Sequence, residues 1–275
     1  MKNMKNLLKK YNIKAKKSLW QNFLVNDEIL EKIASFFDLK DKNIIEVWPW
    51  FWALTEKILE KNPKNLVLVE LDLDMINILN DRIKNNDLKI KNTNFKIENI
   101  DVLKYEVNFQ NYYVIANIPY YITSPILTHF LYKQKNIPEK MLILMQKDVA
   151  DKIEIWQKNE KKQKSSVLSL LVAKKAYAKQ IIFVWKNNFI PAPKVESSVV
   201  FFEKHNLYDD LDDEKFLDII KKWFLSPRKK LVNNLSNFWF EKEKISQILE
   251  KIWLNKNVRP EDLNIEKWVE FIKFL

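Results

Sequence analysis

Asn43-Ile44-Ile45-Glu46-Val47-Trp48-Pro49-Trp50-Phe51-Trp52-Ala53-Leu54-Thr55 decides how this chain is read. Its first five residues form a short apolar run that closes on an acid and a valine, and from 53 to 61 the pattern turns helical. A strand, a turn and a helix in that order open a βαβ unit. Residues 65–70 follow as a near-continuous apolar run, the signature of a strand buried on both faces. Working outward, Asn26-Asp27-Glu28 reads as a helix N-terminus ahead of Ile29, Leu30, Ile33, Ala34, Phe36 and Phe37, which recur at helical spacing. Downstream, a helix is predicted around 75–85 and strands at 95–98, 112–116, 141–146, 180–184 and 195–202. Helices such as 125–133 and 167–175 lie between them. The alternation predicts an α/β protein on a parallel, doubly wound sheet. After the acidic stretch 209–214 only helical patterns remain, at 216–224, 228–238, 242–252 and 266–274. Residues 1–204 are accordingly assigned to an α/β domain and 205–275 to a small all-helical one.

With 275 residues, 47% of them hydrophobic and 30% charged, the chain has the balance of a folded protein with a sizeable core. The formal charge of +11 is not ordinary. It points to a polyanionic partner, nucleic acid ahead of an anionic membrane, with a merely Lys-rich solvated surface as the alternative. The absence of cysteine excludes disulfides, thiolate nucleophiles and Cys-based zinc sites. The two histidines, His129 and His205, argue against a His-rich metal site, and His129 in its apolar stretch reads as a packed side chain. No apolar run reaches membrane-spanning length, and the Lys-rich N-terminal segment lacks the apolar region of a signal peptide. A cytoplasmic protein is expected, and nothing in the sequence demands more than a monomer.

The expected strands end in a consistent set of polar groups. The first ends at Glu46, the second at Glu70 with Asp72 just beyond; the third leads to Asp101, and the fourth runs into Asn117-Ile118-Pro119-Tyr120. In an open α/β sheet a ligand lies beyond the carboxyl ends of the strands. Glu70, roughly 20 residues past the first turn, suits the hydroxyls of a ribose. An Asn side-chain oxygen and a nearby backbone carbonyl can both accept hydrogen bonds from the amine of a base. Pro119 stiffens that loop, and Tyr120 offers a ring for stacking on an extruded base.

Glycine is absent from the whole chain, where average usage predicts about 19, and tryptophan occurs ten times. Glycine is the default residue for positive φ and for close backbone approach.

The ordered motifs resemble those of the small-subunit (16S) ribosomal RNA adenine dimethyltransferases, the KsgA type, almost from end to end. The resemblance begins at Lys17-Ser18-Leu19-Trp20-Gln21-Asn22-Phe23-Leu24 and runs through 46–55, Val69-Glu70-Leu71-Asp72, Asp101 and 117–125. It continues in Phe189-Ile190-Pro191-Ala192-Pro193-Lys194-Val195-Glu196-Ser197, Phe224, Arg228-Lys229-Lys230-Leu231, Asn233-Asn234-Leu235 and Arg259-Pro260-Glu261. It implies a Rossmann-like class I methyltransferase sheet that uses S-adenosylmethionine, with a small C-terminal helical domain that binds RNA. It further implies that Asn22, Leu24, the loop at Trp48, Glu70, Asp101 and Asn117 contact the cofactor. Asn117, Pro119, Tyr120 and Phe189 would form the target-base pocket, and Arg228, Lys229 and Lys230 would contact phosphates. A solvated helix face is the alternative for those three cations. The implied reaction is direct methyl transfer to the exocyclic amines of two adjacent adenosines near the 3′ end of small-subunit RNA, on the immature subunit. No metal is implied.

In one respect the chain departs from that family. The cofactor loop of the family reads acid-x-Gly-x-Gly-x-Gly, where this chain has Glu46-Val47-Trp48-Pro49-Trp50-Phe51-Trp52. Trp20 and Trp223 also stand where the family favours glycine, Trp239 lies between two helical patterns, and Trp253 follows a helix where a glycine cap is expected. Trp268 suits its amphipathic helix. UGA codons are glycine in some bacterial genetic codes and tryptophan in others. Most of these tryptophans are therefore expected to be glycines in the living protein; a deliberately altered sequence is the alternative. Two other functional readings stand beside the first. One is a large-subunit rRNA adenine methyltransferase of the antibiotic-resistance type, disfavoured by the 228–235 element. The other is a non-catalytic ribosome-assembly or RNA-binding factor, which leads if the tryptophans are genuine.

Overall fold

Runs of Ile, Leu and Val bounded by Asn or by acids become strands, and the amphipathic segments between them become helices. The computed structural model describes residues 10–11, 22–50, 52–154, 164–234 and 241–275. In chain order the strands are β1 (Phe23–Leu24), β2 (Asn43–Val47), β3 (Asn65–Glu70), β4 (Asn94–Asn99), β5 (Tyr113–Asn117), β6 (Lys140–Gln146), β7 (Ala176–Val184), β8 (Phe189–Ile190) and β9 (Ser197–Lys204). Seven form one sheet in the order β4-β3-β2-β5-β6-β9-β7, while β1 and β8 pair antiparallel in a separate ladder.

The central strands are parallel, with β2 flanked by β3 and β5. Their register is pinned at the start by a ladder of amides. Asn65 Nδ2 donates to Asn43 Oδ1 at 2.7 Å, Asn94 Nδ2 donates to Asn65 Oδ1 at 2.8 Å, and Asn43 Nδ2 donates to the Asn111 carbonyl at 2.8 Å. A one-residue slip would break this ladder and turn every core side chain to the wrong face. The sheet is not parallel throughout, as the alternation alone predicted: β9 runs antiparallel to β6. Between β7 and β9 lie only residues 185–196, which carry no crossover helix such as a parallel connection usually needs.

The helices beside these strands are α1 (Asp27–Ala34), α2 (Ala53–Glu60), α3 (Leu73–Lys84) and α4 (Thr123–Thr128), the last running on into a π-turn over His129–Lys133. Asn26 caps α1 by accepting from the N–H groups of Glu28 and Ile29, and Asp72 caps α3 by accepting from Asp74 N–H. Ile44, Leu66, Leu68, Ile115, Leu142 and Leu144 pack with Ile29 and Ile33 of α1, Ile58 and Leu59 of α2 and Leu79 of α3 in one core. His129 is buried as expected of its apolar stretch, with Nε2 at 3.0 Å from the Tyr105 carbonyl.

The chain divides into two compact units, residues 1–150 with 179–203, and residues 151–178 with 204–275. Helices α5 (Lys147–Glu154), α6 (Val167–Lys175), α7 (Asp213–Trp223), α8 (Leu231–Asn234), α9 (Lys242–Lys251) and α10 (Ile265–Phe274) complete the order. In the second unit Phe216, Ile220, Trp223, Ile245, Leu249, Trp268 and Phe271 form the core, with Trp223 and Trp268 ring centroids 5.0 Å apart. The helix expected over 228–238 begins only at Leu231, and residues 235–240 lie outside the described residues. Among the described residues no helix is long and apolar enough to cross a membrane.

Candidate active site

The parallel strands bring their carboxyl ends to one edge of the sheet, so Glu46, Glu70, the approach to Asp101 and Asn117 all stand on that rim. Glu46 is 1% exposed, and Thr55 Oγ1 of α2 donates to its Oε2 at 2.7 Å. Its Oε1 has no hydrogen-bond partner among the described residues. Burial pushes this carboxyl up to about 8 against the pull of Thr55, with the nearby charge of Glu70 adding to the rise. Glu70, 3% exposed, accepts from the N–H groups of Leu71 and Asp72 through Oε1, both at 2.8 Å. Asn99 at the end of β4 donates to the carbonyls of Glu70 and Leu71, tying the two strand ends together. Asp101 caps the short turn Val102–Lys104 by accepting from Leu103 N–H at 3.0 Å.

The loop after β2 is where sequence and backbone disagree. Trp48, Trp50 and Trp52 have φ of 55°, 42° and 58°, the left-handed region in which a bulky side chain crowds the backbone. Such a conformation costs about 1–3 kcal/mol at each non-glycine position. The loop is nonetheless well tied, since Trp48 N–H donates to the Val69 carbonyl at 3.1 Å and Trp52 N–H to the Pro49 carbonyl at 2.7 Å. Trp50 lies edge-on to Phe23 of β1, their centroids 5.2 Å apart. Phe23, Leu24, Leu30, Glu46, Trp48, Trp50 and Asn117 line a cavity of about 20 Å³, room for about one water. The structure thus brings Leu24, Glu46, the Trp48 loop and Asn117 together. The acids fit a ligand carrying hydroxyls and amines, but with the indoles in place the cavity does not admit a nucleoside sulfonium such as S-adenosylmethionine.

Asn117 ends β5, half-buried, and Ile118 and Pro119 behind it are buried. Pro119 begins the turn Tyr120–Ile122, accepting from Ile122 N–H at 3.2 Å. The Tyr120 hydroxyl is 2.7 Å from Ser197 Oγ of β9, and burial raises its pKa. That tether spans 77 residues of sequence and has no local signal; it leaves Tyr121, 60% exposed, as the open ring beside Tyr120. Phe189 is 4% exposed in β8, paired with Leu24 of β1, so it belongs to the packed floor of this region. Asn22 immediately precedes β1 and is half-buried. Asn26 Nδ2 donates to Asn188 Oδ1 at 2.7 Å, a further tie between the β1 and β8 segments.

Arg228, Lys229 and Lys230 belong to the second unit, where they form an exposed turn ahead of α8 and not a helix face. Asn234 holds that turn from below, its buried Nδ2 donating to the carbonyls of Trp223 and Ser226 at 2.7 and 2.8 Å. Its positioning role was hidden in sequence, because the Asn233-Asn234 pair reads only as part of a polar helix.

Residues 12–275 match the family described as ribosomal RNA adenine dimethylase. A protein of Mycoplasma mobile named ribosomal RNA small subunit methyltransferase A is 40% identical over 92% of this chain and 95% of its own length. A protein of the same name from Prochlorococcus marinus is 36% identical over 94% and 95%. The fold recurs in a dimethyladenosine transferase from Plasmodium falciparum at TM-score 0.74 and 20% identity, covering 90% of this chain and 95% of that one. It recurs also in the 23S rRNA methyltransferase ErmE at TM-score 0.69 and 18% identity, covering 92% and 99%. The chain belongs to the ribosomal RNA adenine dimethylase family, whose members are S-adenosylmethionine-dependent rRNA methyltransferases.

Proposed function

We propose that the chain dimethylates two adjacent adenosines near the 3′ end of small-subunit ribosomal RNA, acting on the immature subunit as a cytoplasmic monomer. The observation that carries this reading is Asn117-Ile118-Pro119-Tyr120 at the end of the central strand β5, with Asn117 sharing a cavity lining with Glu46 and Leu24. In this reading the Asn117 side-chain oxygen and a carbonyl of the same loop accept the two hydrogens of the adenine amine. That fixes the amine and leaves its nitrogen lone pair unengaged. Pro119 keeps the loop in one conformation, while Tyr120 and Phe189 wall the base pocket. Asn22, Leu24, Glu70, Asp101 and the backbone at position 48 are assigned to the cofactor. Arg228, Lys229 and Lys230 are assigned to RNA phosphates, and residues 205–275 to the RNA-binding domain. The net charge of +11 supports a partner gripped through its phosphate backbone.

The test is transfer of radiolabelled methyl groups by protein carrying its in-cell residues, offered immature small subunits and large subunits separately. Label is expected on adenosines of the small subunit alone. Label on the large subunit alone overturns the substrate, and no label on either overturns the enzymatic reading. Asn117→Ala is expected to lower transfer by about 100-fold or more while leaving RNA binding intact.

A further inference from the structure

We infer that positions 48, 50, 52 and 253 carry glycine in the protein the cell makes, which opens to the cofactor the loop that tryptophan closes. The part of this inference that concerns the cofactor rests on the proposed function; the part that concerns residue identity rests on the backbone.

Among the described residues seven have positive φ: Asp41, Asn62, Asn86, Trp48, Trp50, Trp52 and Trp253. The first three are the residue types whose short polar side chains tolerate the left-handed region. Tryptophan is not such a type. No Phe, Tyr, Leu, Ile or Val among the described residues has positive φ, so bulk in general is excluded there and only tryptophan breaks the rule. Four of the seven tryptophans among the described residues do so, in a chain with no glycine at all. The other three make no such demand: Trp185 has φ of −64°, and Trp223 and Trp268 lie within helices.

The surroundings agree with the φ values. At the end of α9, Leu254 N–H donates to the Leu249 carbonyl at 2.8 Å and Trp253 N–H to the Glu250 carbonyl at 3.1 Å. This crossed pair is the Schellman motif, whose left-handed residue is usually glycine, and position 253 occupies it with an indole 92% exposed. In the loop positions 48, 50 and 52 are left-handed, and Trp48 and Trp50 line the cavity with Glu46 and Asn117. Reduction of the Trp48 and Trp50 side chains to hydrogen would clear the space between Glu46, Phe23 and Asn117 that these two indoles line, while at Trp52, whose ring packs by Arg82, the backbone alone asks for glycine. One cause serves both places, a codon that is tryptophan in one genetic code and glycine in another. An AT-rich coding sequence, suggested by abundant Lys, Asn and Ile with only three arginines, suits it.

Protein isolated from the cells that encode it, cleaved after lysine and sequenced by tandem mass spectrometry, gives peptides 43–57 and 252–256. The expected result is glycine at all four positions, with intact mass below 33.2 kDa by one indolylmethyl group for each replaced tryptophan. Tryptophan at any of the four overturns the assignment. A second arm needs no native source: the chain with Trp48→Gly, Trp50→Gly and Trp52→Gly is compared with the tryptophan chain for binding of S-adenosylhomocysteine by calorimetry. Binding only by the glycine form is expected. Equal binding by the tryptophan form overturns the claim that the indoles close the loop, and failure of a folded glycine form to bind overturns the family's cofactor role for this loop, whatever the peptides show.

Discussion

The loop after β2 and the end of α9 impose the same demand on the backbone and surround it differently. Position 253 turns left-handed in open solvent, its side chain 92% exposed. Positions 48, 50 and 52 turn left-handed in one loop, where Trp48 and Trp50 line a cavity with a buried acid and Asn117, and Trp50 and Trp52 are almost fully enclosed. At the helix end a wrong side chain costs only conformational strain, which the helix tolerates. In the loop it costs strain and also the volume a ligand needs. A left-handed position excludes bulky residues in favour of glycine, Asn or Asp, and only its neighbours tell whether the reason is a turn or a ligand.

The largest expected effect separates the two places by function. Trp48→Gly, Trp50→Gly and Trp52→Gly together are expected to raise affinity for S-adenosylhomocysteine by about 100-fold or more, while Trp253→Gly leaves it within about twofold. Isothermal titration of both variants reads this directly. An equal gain from the helix-end change would mean that relief of strain and not release of space controls binding.

The next effect concerns the acid beneath the loop. Burial holds the Glu46 carboxyl up to about 8, whereas in the unfolded chain it returns to 4.5. The folded state therefore holds this proton more tightly than the unfolded state. Stability from this group is full below pH 4.5, falls as pH rises through the interval to about 8, and is level beyond it. Glu46→Gln, which cannot ionise, is expected to lack that decline and to exceed the wild type by up to a few kcal/mol at alkaline pH. Urea midpoints at about pH 5 and about pH 9 check it. A wild-type midpoint that does not fall relative to Glu46→Gln would show that the loop leaves this carboxyl in contact with water.

Structure fixed by neighbouring residues is legible in the sequence, and structure fixed by distant partners is not. Strands β2 and β3 lie on the residues expected of them, because a strand buried on both faces must be an unbroken apolar run and its ends are marked by Asn and Glu. Asn26 was visible as a cap for the same reason, since its partners Glu28 and Ile29 are its neighbours. The direction of β9 was not visible, because apolar alternation has no sign. Strand β7 begins at Ala176, earlier than the predicted 180, because Ala-Tyr-Ala-Lys carries too little apolar signal to mark a strand before its partners do. In the site, the acids and Asn117 could be named from strand ends, whereas the Tyr120–Ser197 tether joins residues far apart in the chain. The sequence predicts helix at Arg228, Lys229 and Lys230, because the determinant of the turn found there, Asn234 bonding back to Trp223 and Ser226, lies inside the helix that follows.

That turn supplies a third kind of case, a reversal held by a side chain and not by a left-handed residue. Asn234→Ala is expected to strand the carbonyls of Trp223 and Ser226 and to destabilise the chain by about 1–3 kcal/mol. Thermal denaturation gives the loss, and limited proteolysis at Arg228, Lys229 and Lys230 is expected to quicken. Replacement by glycine should do no better than alanine here, since no positive φ is involved. A rescue by glycine would place this turn in the same class as the loop and the helix end.

At Trp253 the expected change is slight, and it isolates backbone strain because the indole lines no cavity of the site. A non-glycine residue in the left-handed region costs roughly 1–2 kcal/mol from the crowding of Cβ against the carbonyl. Glycine removes that cost but adds conformational freedom to the unfolded chain, which takes back roughly 0.5–1 kcal/mol. Trp253→Gly should therefore stabilise the chain by about 0.5–1 kcal/mol net. Little burial is lost, because the indole stands almost wholly in water. Trp253→Ala should gain nothing, because alanine keeps the Cβ that causes the crowding. If alanine stabilised the chain as much as glycine, the benefit would come from removing an exposed ring, and the left-handed backbone at position 253 would cease to argue for glycine there.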